Sequence, residues 1–328
     1  MQKEHIIYSG KVKVNIVKNE SLMGKMTVDH IIKVIKEKYV QDKVIVLWLM
    51  AAPSGFPFYQ ALIERVERDS FLREIIKKTH FFQFDDYPIS RNSKKFSLTF
   101  RYLLENELFK PLKNLCGELP YIYFLELIGT DEDKEISIAY KKKLLDLRKE
   151  NSYIIQLKGI GMDGHWGFHG SETPLNMPSD MIAVPMNKQN IHQQRIDWPK
   201  LFPKVEDIPK TAYTFNVNMF LLADEIIDNV PQSTKEYAVL ATYGTDDIFN
   251  EIPSSALKKH HDAQAYITEE ASKALIEFRE GRDSSKGFKL NNTTLNRLRD
   301  LWKDDASQPY WQQNIKIMEE VLRKLNMI

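Results

Sequence analysis

Cysteine is nearly absent from the chain: Cys116 stands alone among 328 residues. One thiol forms no internal disulfide and builds no cysteine cage for zinc, which excludes the disulfide-stapled secreted modules. Long apolar runs are missing too. The most hydrophobic stretch, Val44 to Ala52 (VIVLWLMAA), is about half the length of a spanning helix, which needs roughly 20 residues. Nor does either charge dominate, with 46 Lys and Arg against 45 Asp and Glu. Nucleic-acid and anionic-membrane binding rest on clustered positive charge, so neither partner is expected. The N-terminal MQKEHIIYSG lacks a cationic segment followed by an apolar run and a small-residue cleavage site. A soluble cytoplasmic protein is the expectation, and its activity has to be read from local motifs.

What the chain does contain is an alternation of strand and helix signals. Apolar residues at helical spacing mark His30 to Tyr39, and the run at 44–52 reads as a strand buried on both faces. A Pro-Ser-Gly turn at 53–57 leads to a helix over Tyr59 to Arg68. The run His80 to Phe84 stops at Asp85-Asp86-Tyr87-Pro88, and helix signals return over Phe96 to Phe109 and Lys134 to Lys149. Tyr121 to Ile128, Tyr153 to Lys158, Met181 to Val184, Glu236 to Thr242 and Ala263 to Thr268 read as further strands, with a helix around Met219 to Asp228. Such alternation predicts βαβ units in an α/β, three-layer, doubly wound and mostly parallel sheet flanked by helices. We read residues 1–280 as a single α/β domain. A linker over Arg279 to Lys286 (REGRDSSK) would lead to a helical C-terminal extension, 281–328, packed on it. Its stripe Ile315, Met318, Val321, Leu322 and Leu325 faces the core or a second copy of the chain. A homo-oligomer thus stays open.

Ligands of doubly wound sheets bind beyond the carboxyl ends of the strands. The loops 53–57, 85–88, 159–172 and 242–247 should therefore converge. Loop 159–170 (GIGMDGHWGFHG) holds five glycines, two histidines and an aspartate. A carboxylate beside an imidazole fixes its tautomer and raises its basicity, which suits Asp163 and His165 to acid–base work. Gly159-x-Gly161-x-x-Gly164 formally matches a dinucleotide fingerprint, but Gly167, Gly170 and Pro174 would break the helix that the fingerprint opens. The same glycines deny His165 and His169 a helical zinc geometry, so no metal or cofactor is expected; His260-His261 reads as exposed. Asp85 and Asp86 share a strand end, where like charges raise one pKa and create an acceptor for a carbon-bound proton. Ser54 and Gly55 lie at a strand–helix junction whose N–H groups suit an anion.

In this order the loops resemble the glucosamine-6-phosphate deaminase/isomerase family, which is related to the 6-phosphogluconolactonases. Gly159 to Phe168 matches the family's G-[IV]-G-x-D-G-H-x-[AG]-F throughout, and Phe84-Asp85-Asp86-Tyr87 is similar to its M-D-E-Y. Ala52 to Pro57 resembles P-[TS]-G-x-T-P, Thr214 to Ile226 has the layout of T-x-G-x-G-T-L-L-D-A-E-E-V, and Ser255 to His260 matches S-x-L-x-x-H. The resemblance implies a Rossmann-like fold over roughly residues 28–275 and chemistry that needs no cofactor. It implies Asp85 as the base moving a proton between C1 and C2 of an open-chain amino sugar, His165 as the ring-opening acid/base, and Asp163 as its orienter. Ser54, Gly55, Asp86, Gly164, His169 and Arg195 would contact the substrate, Arg195 at its phosphate. The implied activity is aldose–ketose isomerisation of glucosamine 6-phosphate or a related amino-sugar phosphate with loss of ammonia. Lactone hydrolysis, or a sugar-phosphate-binding regulator without turnover, are the alternatives.

The chain also departs from the pattern. Gly170 stands where the family has a glutamate, so Glu172 or His169 would have to replace it. Phe56 replaces a cradle threonine. At the strand-end G-x-x-K the chain reads Ala241-Thr-Tyr-Gly244, without the phosphate lysine, and Asn216 and Asn218 replace two glycines. These changes fall on phosphate contacts, which predicts a sugar held differently from glucosamine 6-phosphate.

Overall fold

The computed structural model describes residues 5–284 and 287–328. The apolar run at 44–52 forms β3 (Val44–Leu49) inside an eight-stranded sheet, where Leu47 pairs with Phe81 on one side and Ile155 on the other. The sheet is ordered β1 (His5–Ser9), β2 (Val12–Val17), β11 (Ala263–Thr268), β10 (Glu225–Val230), β7 (Ser152–Lys158), β3, β4 (His80–Gln83) and β6 (Ile122–Tyr123). All neighbours are parallel except the β1–β2 hairpin. The connection from β3 runs to β4 on one side, and that from β7 to β10 on the other. The topological switch point therefore lies between β3 and β7, where doubly wound sheets place their ligands.

Helices flank the sheet. In α1 (Glu20–Val40) the Asn19 side chain accepts from the Leu22 N–H at 2.9 Å, and Met23, Thr27, Val28, Ile31 and Ile35 form the buried stripe. The turn after β3 opens α2 (Phe56–Arg68), followed by α3 (Ser70–Lys78), α4 (Phe100–Leu104), α5 (Lys110–Cys116) and α6 (Asp133–Lys149). A second, antiparallel sheet joins β5 (Asp85–Asp86) to β9 (Thr211–Phe215) and β9 to β8 (Met181–Pro185). Between β8 and β9 lies α7 (Lys188–Asp197), and after β9 comes α8 (Val217–Phe220). The chain closes with α9 (Glu236–Tyr243), α10 (Glu269–Ser284), α11 (Asn292–Asp300) and α12 (Gln308–Lys324). Among the described residues no helix is long and apolar enough to cross a membrane.

Four expectations need correction. Glu236 to Thr242 is helix α9, not a strand; all eight α9 residues are buried, so no exposed face marks a helical period in the sequence. Met219 to Asp228 divides into α8 and β10. The charges that make this segment look exposed are held by tertiary partners instead. Asp224 accepts from the Ile154 N–H at 2.8 Å, Glu225 meets His30, and Asp228 pairs with Lys158 at 2.9 Å. Tyr121 to Ile128 keeps only two strand residues. The expected linker is largely helix: α10 runs to Ser284, and Arg279 donates to the Tyr243 carbonyl at 2.7 Å, while Ser285 and Lys286 lie outside the described residues.

Helix α12 packs on α7 and α9, and Arg297 of α11 donates to Glu236 of α9 at 2.7 Å. His192 of α7 meets the Trp302 carbonyl at 2.7 Å through Nε2, and Asn314 of α12 approaches its Nδ1 at 3.2 Å. Met318, Val321, Leu322 and Leu325 are buried.

Candidate active site

A cleft lies beyond the carboxyl ends of β3, β4 and β7. Its walls include Ser54, Asp85, Phe100, His165, Phe168 and Gln194, together with Asp197, Trp198 and Lys235. Three of the four expected loops meet there. The fourth does not: residues 244–247 follow helix α9 and pack on the β1–β2 turn, where the Gly10 N–H donates to Asp246 at 2.7 Å and Ser9 to the Thr245 carbonyl at 3.0 Å.

The loop after β7 is shaped around His165. A Cβ at Gly161 would be only 2.3 Å from three atoms of the His165 ring, so the residue must be glycine for the ring to lie against the backbone. Asp163 Oδ1 is 2.6 Å from His165 Nδ1, which leaves Nε2 as the nitrogen available to a bound molecule. Burial opposes ionisation of Asp163, but the charge and hydrogen bonds of His165 outweigh it and hold the carboxyl below its usual range. Gly167, at φ +63°, brings the loop against β9, where a Cβ would be 2.6 Å from Thr214 Oγ1 and 3.2 Å from Asp85 Oδ2. The Phe168 N–H donates to the same Thr214 hydroxyl at 3.1 Å. Loop, second sheet and Asp85 are thus one packed unit.

Asp85 and Asp86 have separate tasks. The carboxylate of Asp86 accepts from the N–H groups of Tyr87, Phe100 and Arg101 at 2.8, 2.9 and 2.9 Å and from Gln83 Nε2 at 3.0 Å. It caps α4 and does not line the cleft, which corrects its expected contact with substrate. Burial lifts its pKa to about 6 against the pull of these four donors. Asp85 does line the cleft, and none of the hydrogen bonds among the described residues reaches its carboxyl. Burial first, and the neighbouring Asp86 charge second, raise its pKa well above the carboxylate range.

Several other expected contacts lie elsewhere. Arg195 turns away from the cleft: its guanidinium donates to the Phe202 carbonyl and lies 3.4 Å from Asp304. Glu172 is exposed and accepts from Asn187 Nδ2 at 2.9 Å, outside the cleft. The Gly55 N–H donates to the Ala52 carbonyl at 2.8 Å, and a Cβ there would press on the Tyr59 ring. Gly164 makes the turn whose carbonyl accepts from the Ser254 N–H at 2.8 Å. Ser54 remains in the cleft, its hydroxyl on Gln232 at 3.0 Å. Phe56 sets its ring edge-on to Trp198, with centroids 5.9 Å apart.

His169 is a pin, not a substrate contact. Its Nε2 meets the Thr173 carbonyl at 3.0 Å, its Nδ1 accepts from the Val217 N–H at 3.1 Å, and the side chain is fully buried. Burial pushes its pKa down to about 4. The fold therefore favours the neutral ring. Its stabilising effect is present above the unfolded value near 6.5 and is lost as pH falls toward about 4. Thermal melts are expected to weaken over that window, and less steeply in His169→Gln; parallel curves for the two proteins would contradict this role.

The lysine that the sequence places nowhere is Lys235. β10 ends at Val230 and Lys235 follows within five residues, lining the cleft. The strand-end lysine was sought after 236–242, which is a helix; the β-branched run EIIDNV was the signal for the right strand. Lys235 Nζ donates to Asp197 at 3.0 and 3.1 Å. Gln194 and Asp197 on α7, Trp198 just after it and Phe100 at the start of α4 carry no local motif; which of them reach the cleft is decided by how the two helices pack.

The fold and the cleft define a class, that of α/β proteins with a glycine-rich loop at the switch point of a parallel sheet. Among solved structures the chain is similar to a monomeric glucosamine-6-phosphate deaminase, with a TM-score of 0.65 and 22% identity over 79% of this chain and 98% of that one. It is also similar to the 6-phosphogluconolactonase of Trypanosoma brucei, with a TM-score of 0.59 and 14% identity over 81% and 100%. Curated relatives include the glucosamine-6-phosphate deaminase of Streptococcus sanguinis, 27% identical over 79% of this chain and 97% of its own length. That of Shouchella clausii is 25% identical over 72% and 88%. No protein-family model matches the chain. Along most of its length the chain is thus similar to glucosamine-6-phosphate deaminases.

Proposed function

We propose that the chain is an aldose–ketose isomerase and deaminase of the sugar-phosphate class, acting on glucosamine 6-phosphate or a related amino sugar. The observation that carries this reading is the pairing, in one cleft, of an unbonded buried carboxyl, Asp85, with an imidazole oriented by a carboxylate, His165 and Asp163. His165 Nε2 moves the proton from the anomeric hydroxyl to the ring oxygen and opens the pyranose. The C1 carbonyl then acidifies the C2–H bond. Asp85 takes that proton and returns it to C1, while a proton passes from the C2 amine to O1, so the aldehyde becomes an alcohol and C2 an imine. Water adds to the imine and ammonia leaves, giving the ketose.

A carboxyl raised in pKa is a strong base once ionised, which suits removal of a carbon-bound proton. Lactone hydrolysis needs no such group, and Asp85 therefore favours isomerisation. Incubation with glucosamine 6-phosphate or glucosamine tests the reading. Equal amounts of ammonia and ketose are expected; acid production from 6-phosphogluconolactone without ammonia from either sugar would overturn it.

A further inference from the structure

Lys235 is the single lysine or arginine among the described residues lining the cleft, and it is not electrostatically free. Asp197 holds its ammonium through both carboxylate oxygens, at 3.0 and 3.1 Å, and the two side chains are only 2% and 7% exposed. Arg195, two positions earlier on α7, spends its guanidinium on backbone carbonyls and Asp304. Beside the pair, Gln194 lines the same cleft with Oε1 buried and without a partner. Ser54 contributes a hydroxyl, and Trp198, Phe100 and Phe168 contribute apolar walls.

A phosphate dianion accepts hydrogen bonds and donates none. It suits a site rich in positive charge and donors. Here it would meet a cation already matched by a buried carboxylate, Asp197, whose oxygens it has no proton to satisfy. A sugar hydroxyl both donates and accepts. It can take a bond from Lys235 or Ser54 and give one to Asp197, while aromatic walls cover the C–H face of the ring.

We propose that Asp197 is the specificity-determining residue of the cleft, cancelling the charge of Lys235 and accepting from a hydroxyl, so that an amino sugar with a free terminal hydroxyl binds at least as well as its phosphate ester. This rests on the isomerase/deaminase reading for the identity of the sugar, and it concerns binding alone.

Calorimetric titration of the whole chain with glucosamine, glucosamine 6-phosphate and inorganic phosphate tests it, in the wild type and in Asp197→Asn and Asp197→Ser. In the wild type glucosamine should bind no more weakly than its 6-phosphate. In the variants the preference should swing toward the 6-phosphate by about tenfold or more, with inorganic phosphate tightening in parallel. A wild-type preference for the 6-phosphate beyond about tenfold overturns the proposal. So does an unchanged ratio in a folded variant, or no binding of either sugar. The wild-type titration decides the matter even if removing the counter-charge of a buried lysine leaves both variants unfolded. Expected affinities without any ammonia release would sink the isomerase/deaminase reading and leave the binding inference standing. Ammonia release from a protein that strongly prefers the 6-phosphate would do the reverse.

Discussion

Asp85→Asn is expected to lower kcat by roughly 10²–10⁴-fold, the range for loss of a positioned general base, while substrate affinity changes little. The substitution keeps the shape of the side chain and removes only its capacity to take a proton. Asp85 has no hydrogen-bond partner among the described residues to lose, so the packed unit of β5, β9 and the glycine-rich loop should survive. The neighbouring Asp86→Asn behaves differently. It weakens the cap on α4, where three backbone N–H groups and Gln83 converge on the carboxylate. Its effect should therefore appear in thermal stability as well as in turnover. The pH profile carries a second signature. Burial and the Asp86 charge raise the pKa of Asp85, so in the free enzyme kcat/KM should climb with pH along an acid limb lying above the ordinary carboxylate range. Steady-state rates across pH, with exchange of the C2 proton followed in deuterated solvent, measure both. Wild-type turnover and exchange in Asp85→Asn would remove Asp85 from the mechanism.

The second large effect is expected in the core beneath the loop. Lys158, the last residue of β7, is fully buried. Its ammonium lies 2.9 Å from Asp228 and 4.7 Å from the centroid of the Trp166 ring, and Asp228 also accepts from the Tyr243 hydroxyl at 2.5 Å. Burial lowers the pKa of Lys158, and the Asp228 charge opposes that shift. Lys158→Met leaves a carboxylate buried without its cation, a change that typically costs ~3–5 kcal/mol, whereas replacing both partners by apolar residues is often neutral or stabilising. A fall in Tm of several degrees is expected for the single variant, with most of it recovered in Lys158→Met/Asp228→Leu. Trp166 belongs to the same loop as His165, so the single variant should lose activity below its melting transition too. A single variant that melts with the wild type, or a double variant no more stable than the single, would show that the pair does not act as a unit.

The parts of this protein that were legible in its sequence are those whose signal is local. Val44 to Leu49 is apolar without interruption because both faces of β3 are covered. Gly159 to Phe168 carries its glycines because an imidazole lies on one of them and a neighbouring strand presses on another. The parts that were not legible depend on distant partners. Asp224, Glu225 and Asp228 make β10 look like a solvated helix, yet each is held by a residue from another element. Helix α9, buried on every side, shows no polar face to betray its period, and mistaking it for a strand hid Lys235. Arg195 and Asp197 are two residues apart with opposite charge. Which of them reaches the cleft depends on how α7 is rolled against α12 and the 302–304 segment, where His192 meets the Trp302 carbonyl and Arg195 meets Asp304. No short motif encodes that roll.

Of the five tryptophans, Trp198 alone lines the cleft, half-buried and braced edge-on by Phe56. Trp48 and Trp166 are sealed in the core, and Trp302 belongs to the segment that holds α7 from behind. Indole emission responds to the polarity and motion of its surroundings. The protein thus carries an intrinsic optical reporter beside the Asp197–Lys235 pair, one that can follow the arrival of a sugar in real time without a label or a coupled reaction.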